Sequence, residues 1–184
     1  MNLRFLTLAC AAGLALAQGP EFTADGKLTR PANYREWIFL SSGLGMTYNE
    51  NSKSEPSFEN VFVSPPAYRE FLATGKWPEK TIFVLEIRAA SSHGSINKSG
   101  HYQSDFMEIE AEVMDSARFP DKWAFFGFGT PGKPVSAAPR IPAGSACNVC
   151  HSKNGAVDNT FVQFYPTLIE VARKNGTLKT EPQP

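Results

Sequence analysis

The clearest periodicity in the chain lies between His101 and Met114, where Met107, Ile109, Ala111 and Val113 alternate with Glu108, Glu110 and Glu112. A period of two sends alternate side chains to opposite sides of a strand, so this stretch predicts a long strand with one buried and one polar face. Thr81 to Arg88 and Trp123 to Phe128 are dense in branched and aromatic residues and predict two further strands, with Phe58 to Val63 as a fourth. Helical spacing is rarer. Tyr34, Trp37 and Ile38 share an i, i+3, i+4 face, and with Pro31 before them and Ser41-Ser42-Gly43 after Leu40 they predict a short helix over 31–40. Ser64 followed by Pro65-Pro66 predicts a second helix, through Tyr68 and Phe71 to Thr74-Gly75. Pro166 to Lys174, closed by Asn175-Gly176, predicts a third. Ala89 to Gly100 and the Gly-, Pro- and Ala-rich run from Gly129 to Gly144 read as loops, and Thr177 to Pro184 as a frayed tail. There is no internal repeat. The sum is an α+β chain, mostly an antiparallel β-sheet with several short helices.

The first residues change this picture. Arg4 followed by the uncharged apolar run Phe5 to Ala17, ending in Ala15-Leu16-Ala17, has the layout of a secretory signal peptide. That assigns 1–17 to a cleaved leader and 18–184 to a single mature domain, with an ordered core over about 22–176 and a periplasmic or secreted location. The run is too short to span a bilayer, and no membrane span is expected elsewhere. Lys plus Arg and Asp plus Glu number 18 each, so there is no basic excess of the kind that binds nucleic acid. With 14 Phe, 5 Tyr and 3 Trp the chain can fill a core without disulfide staples.

Cys10 leaves with the leader, and the other two cysteines stand in one short motif, Cys147-Asn148-Val149-Cys150-His151. C-x-x-C-H is the spacing of covalent haem attachment: two thiols add to the vinyl groups on one porphyrin edge, and the next histidine reaches iron. A zinc site wants about four ligands, yet only His93 and His101 are left upstream and no Cys or His follows His151. A redox dithiol wants a βαβ setting, and a disulfide across two intervening residues is strained. The motif therefore predicts one haem c per chain, with His151 on the iron. The sixth iron position decides between electron transfer and ligand binding. Met46, in a Gly-flanked loop, is a candidate for it; His93 and His101 read as surface residues, and Met107 as core.

The order of several separated blocks carries a resemblance. Asn33-Tyr34-Arg35-Glu36-Trp37, Pro65 to Tyr68, Thr74-Gly75-Lys76-Trp77-Pro78 and Trp123-Ala124-Phe125-Phe126 precede the haem motif, and Phe161-Val162-Gln163-Phe164-Tyr165-Pro166 follows it. This order resembles the cytochrome P-460 family, which includes the cytochromes c′-beta, over about 22–176. The resemblance implies a periplasmic, mostly antiparallel β protein, a homodimer, with haem iron held by His151 and an open or weakly occupied distal side. Members with a lysine cross-linked to the porphyrin oxidise hydroxylamine; relatives without it bind nitric oxide and serve as gas-binding or redox proteins, which calls for a redox partner protein. The matching position here is Leu85, and neither Lys80 nor Lys76 is placed to substitute. The family's distal proton-relaying glutamate matches Glu110, which the residue pattern alone reads equally well as a solvated strand carboxylate. Phe83, Leu85 and Ile87 share a strand face and, with Phe58, Phe62 and Phe106, suggest an apolar pocket suited to small uncharged ligands. Three readings compete: a nitric oxide-binding cytochrome, an electron-transfer cytochrome with a side-chain sixth ligand, and a hydroxylamine-oxidising or peroxidase-like enzyme relaying protons through Glu110.

Overall fold

The computed structural model describes residues 19–47, 51, 54–130 and 132–179; the expected leader over 1–17 lies outside them. The elements run β1 (Leu28–Thr29), β2 (Ile38–Leu44), β3 (Ser57–Val63), α1 (Pro65–Thr74), β4 (Ile82–Ser91), β5 (Tyr102–Met114) and β6 (Trp123–Gly127). Three two-residue strands follow, β7 (Gly129–Thr130), β8 (Lys133–Pro134) and β9 (Ala137–Ala138), and then α2 (Ala146–Asn154) and α3 (Ile169–Lys174). β2 to β6 form one antiparallel meander in sequence order, as five strands. The α+β expectation holds. No helix among the described residues is long and apolar enough to cross a membrane.

The helix expected over 31–40 is not there. Tyr34–Glu36 make a single 3-10 turn, Trp37 is already extended, and Ile38 begins β2. The helical match spanned only one turn, and pairing Ile38 with Val63 and Phe39 with Phe62 satisfies more backbone groups than a second turn would. Tyr34 and Trp37 are buried nonetheless, so the apolar signal was real and the period misread. Smaller differences follow the same logic. β4 continues through Ala89, Ala90 and Ser91 into the expected loop, Gly129 to Gly144 carries the three minute strands, and α3 begins only at Ile169. α1 runs as expected, closed by Gly75 in the left-handed region at φ 69°. A Cβ on Gly75 would come within 2.8 Å of Asn175 Cβ, so glycine also lets α1 approach the end of α3.

Both faces of the sheet are covered, but not equally. On one face Ile82, Val84, Ile109, Ala111, Val113, Ala124 and Phe126 pack under Leu28, Tyr34, Trp37 and Phe119. On the other, Val63, Phe83, Met114 and Trp123 pack against Ala67 and Phe71 of α1, Leu168, Ala172 and Trp77. That second core occupies only one end of its face. At the other end Glu59, Val61, Leu85, Ile87, Glu108 and Glu110 remain half-buried in the middle of a five-stranded sheet. Register makes Glu59, Ile87 and Glu108 one row and Val61, Leu85, Glu110 and Gly127 the next, so all of them share this open half-face.

The fully covered face holds one buried carboxylate, Glu86, 3 % exposed. It accepts hydrogen bonds from Tyr34 Oη, from Arg35 (Nε at 3.1 Å, Nη2 at 3.1 Å) and from Arg88 Nε. Burial alone would raise this carboxyl; the Tyr34 and Arg88 hydrogen bonds, with the Arg35 and Arg88 charges, bring it below its ordinary 4.5. A depressed carboxyl stabilises the fold above its unfolded value, and the gain is lost as pH falls through the folded value. Glu86→Gln should therefore lower the melting temperature at about pH 7, with a deficit that shrinks progressively as the pH falls below the ordinary carboxylate value. Thermal melts with an equal deficit across that range would refute the assignment.

Candidate functional site

α2 begins after Ser145 and carries the whole C-x-x-C-H motif. On a helix, positions i, i+3 and i+4 lie on one side, so Cys147, Cys150 and His151 project together. Both cysteines are free thiols and half-buried. No residue of α2 is fully buried, and Val149 is 55 % exposed, although the helix sits beside β6. The Cys147 thiol is raised by burial and by the charge of the Glu110 carboxylate.

The orientation of His151 is set from behind. Its Nδ1 lies 2.8 Å from the carbonyl oxygen of Asn159, which fixes Nδ1 as the protonated nitrogen and leaves the Nε2 lone pair for a metal. The ring is wedged between Phe125, 4.6 Å away edge-on, and Phe161 at 4.4 Å. Glu112 Oε1 stands 3.4 Å from the same Nδ1. Burial would depress the imidazole, but the adjacent Glu112 carboxylate and the Asn159 carbonyl outweigh it and raise it above 6.5.

Asn159 is delivered by a tight loop. Gly155 ends α2 with its N–H on His151 O at 2.9 Å, Val157 and Thr160 bridge, and Thr160 Oγ1 accepts the Trp77 Nε1 proton at 2.8 Å. Trp77 itself packs tilted against Phe71 and edge-on to Phe83. The histidine is therefore positioned through the main core. Neither the Asn159 carbonyl nor Glu112 was singled out from the sequence. A backbone acceptor leaves no residue signature, and Glu112 shares its strand parity with solvated carboxylates.

On the strands, Leu85 pairs directly with Glu110 on the open half-face. Lys80 lies outside β4, at φ 65°, and pairs with Asp115. Glu110 is raised by burial and by Glu108 and Glu59, with His151 opposing. The aromatic part of the expected pocket is corrected. Phe62 pairs with Val84 and Phe58 with Arg88, which puts both on the opposite face, and Phe106 pairs with Arg88 beyond a bulge and is 36 % exposed. Phe83 is core. The open half-face is thus Leu85, Ile87 and Val61 with three carboxylates, less apolar than expected. Met46 lies against Gly43, whose register partner is Glu59, so it sits at the far rim from His151. His93 and His101 are exposed, and Met107 is half-buried.

These residues fit a covalently held haem. Two unpaired thiols one helical turn apart and an imidazole with a free Nε2 stand on a helix lacking any fully buried side chain, near a half-sheet that is only half-buried among the described residues. Gly127, opposite Glu110, has open space where a side chain would stand. When bound, the group supplies a redox-active iron with one coordination position beyond His151. Gly155→Ala tests the positioning: its Cβ would lie 2.7 Å from Asn159 C and Thr160 N. Moving that loop should cost about 1–3 kcal/mol in stability and alter the visible spectrum of the iron. A variant with parent stability and spectrum would count against the loop's role.

No curated protein matches the chain. The sequence profile of cytochrome P460 matches residues 31–162, from before the 3-10 turn through the haem motif to Val162. With fold, motif and profile in agreement over most of its length, this chain belongs to the cytochrome P460 family, and the family implies a haem cofactor.

Proposed function

We propose that the protein is a periplasmic mono-haem c-type cytochrome that binds nitric oxide or a related small nitrogen ligand on the iron face opposite His151. Cys147 and Cys150 attach one haem c per chain, and His151 Nε2 ligates it. The observation that carries the reading is the pairing of Leu85 with Glu110 beside the motif. A leucine offers no nucleophile to the porphyrin, so the covalent link that goes with hydroxylamine oxidation has no donor there. Leu85, Ile87 and Val61 favour a small uncharged ligand over an anion, and the neighbouring Glu59, Glu108 and Glu110 repel anions further. The protein exchanges electrons with a redox partner protein and works as a homodimer.

Two other readings stay in view because a specific residue favours each. Glu110, raised by its burial, is suited to hold and pass a proton, as turnover of hydroxylamine or peroxide would need. Met46, at the rim of the open half-face, would serve an electron-transfer cytochrome as sixth ligand.

The test is spectroscopic. The purified protein should keep haem on a denaturing gel, and Cys147→Ala/Cys150→Ala should lose it. Reduced protein should show an ordinary c-type Soret band and bind nitric oxide, with Met46→Ala unchanged. A red-shifted ferrous band would reveal a porphyrin cross-link and put hydroxylamine oxidation first. A six-coordinate iron that resists nitric oxide and changes in Met46→Ala would favour electron transfer.

A further inference from the structure

Glu112 is a costly residue for its place in the fold. It is 9 % exposed, and its register partners on either side are Phe83 in β4 and Phe125 in β6, both buried. Between two phenyl rings an apolar side chain would pack at least as well, whereas a carboxylate there gives up its hydration. Its Oε1 accepts no hydrogen bond among the described residues. The polar atom that faces it is His151 Nδ1 at 3.4 Å, whose proton is already shared with the Asn159 carbonyl at 2.8 Å. Glu108 and Glu110, on the same side of β5, are only half-buried. Glu112 alone is withdrawn from solvent and set behind the imidazole, on the side away from Nε2.

We infer that Glu112 is a positioning residue for His151, the carboxylate that orients the imidazole from behind and strengthens its donation to iron. The inference rests on His151 being the iron ligand. The Asn159 carbonyl takes the Nδ1 proton, and the Glu112 carboxylate 3.4 Å away adds an electrostatic pull on the same N–H. A ring whose Nδ1 proton is drawn off is the better electron donor at Nε2, and better donation favours the oxidised metal. Asn159 supplies the fixed acceptor through the backbone, and Glu112 supplies the adjustable one. Fold stability does not explain the residue, since burial of an incompletely bonded carboxylate opposes folding.

The experiment uses the haem-loaded protein in three forms: parent, Glu112→Gln and Glu112→Leu. Covalent haem content is read first on a denaturing gel, followed by the iron–histidine stretching frequency of the ferrous protein by resonance Raman and the midpoint potential by titration. Glu112→Gln keeps the shape and an acceptor; Glu112→Leu removes the acceptor but suits the two phenyl neighbours. With full haem content, the stretching frequency should fall and the midpoint potential rise in the order parent, Gln, Leu. A merely structural residue would change melting temperature without moving these two readouts in that order. Unchanged frequency and potential in a haem-loaded Gln variant would overturn the proposal, even if the Leu variant fails to fold. A parent without covalent haem would instead remove the ligand reading, and this inference with it.

Discussion

The two-sided alternation of β5 is the constraint on which the molecule turns. One strand has to supply Ile109, Ala111 and Val113 to a closed apolar core while offering Glu108, Glu110 and Glu112 to the other side. A strand cannot serve both without burying something polar, because the two sets are locked to each other by the backbone period. The protein manages this by grading cover along the strand. The polar side is most open at Glu108 and most closed at Glu112, where the second core begins with Met114 and Trp123. That gradient makes three chemically identical residues into three different environments.

The second core does more than stabilise. Trp77, between Phe71 and Phe83, reaches through Thr160 to the loop that presents Asn159 to the histidine. Packing around α1 is thereby converted into the angle of an imidazole ring. The sheet supplies the opposite boundary through Phe125, so the ring is held by both the helical layer and the strands. Site and core are continuous here.

Much of this was legible in the sequence where the signal was local. Cys147, Cys150 and His151 needed only their spacing, and the β5 alternation only its period. That Leu85 lies directly opposite Glu110 was not legible, because a lone strand carries no register. What failed needed information from elsewhere in the chain. Tyr34, Trp37 and Ile38 fit a helical face for one turn, and only the partner strand Ser57–Val63 reveals the true period. Phe58 and Phe62 are apolar as judged, but which face they take depends on pairing that the residues themselves do not encode. The depth of Glu112 followed from what packs over its strand end, and Asn159 acts through a carbonyl that every residue owns.

The exposure of α2 has a consequence for which parts of the molecule can open independently. Neither apolar core includes a side chain of this helix, and none of its residues is fully buried. The scaffold therefore closes without it, and the attachment segment adds little to the stability of the polypeptide alone. The helix can therefore shift or open locally without breaching either core.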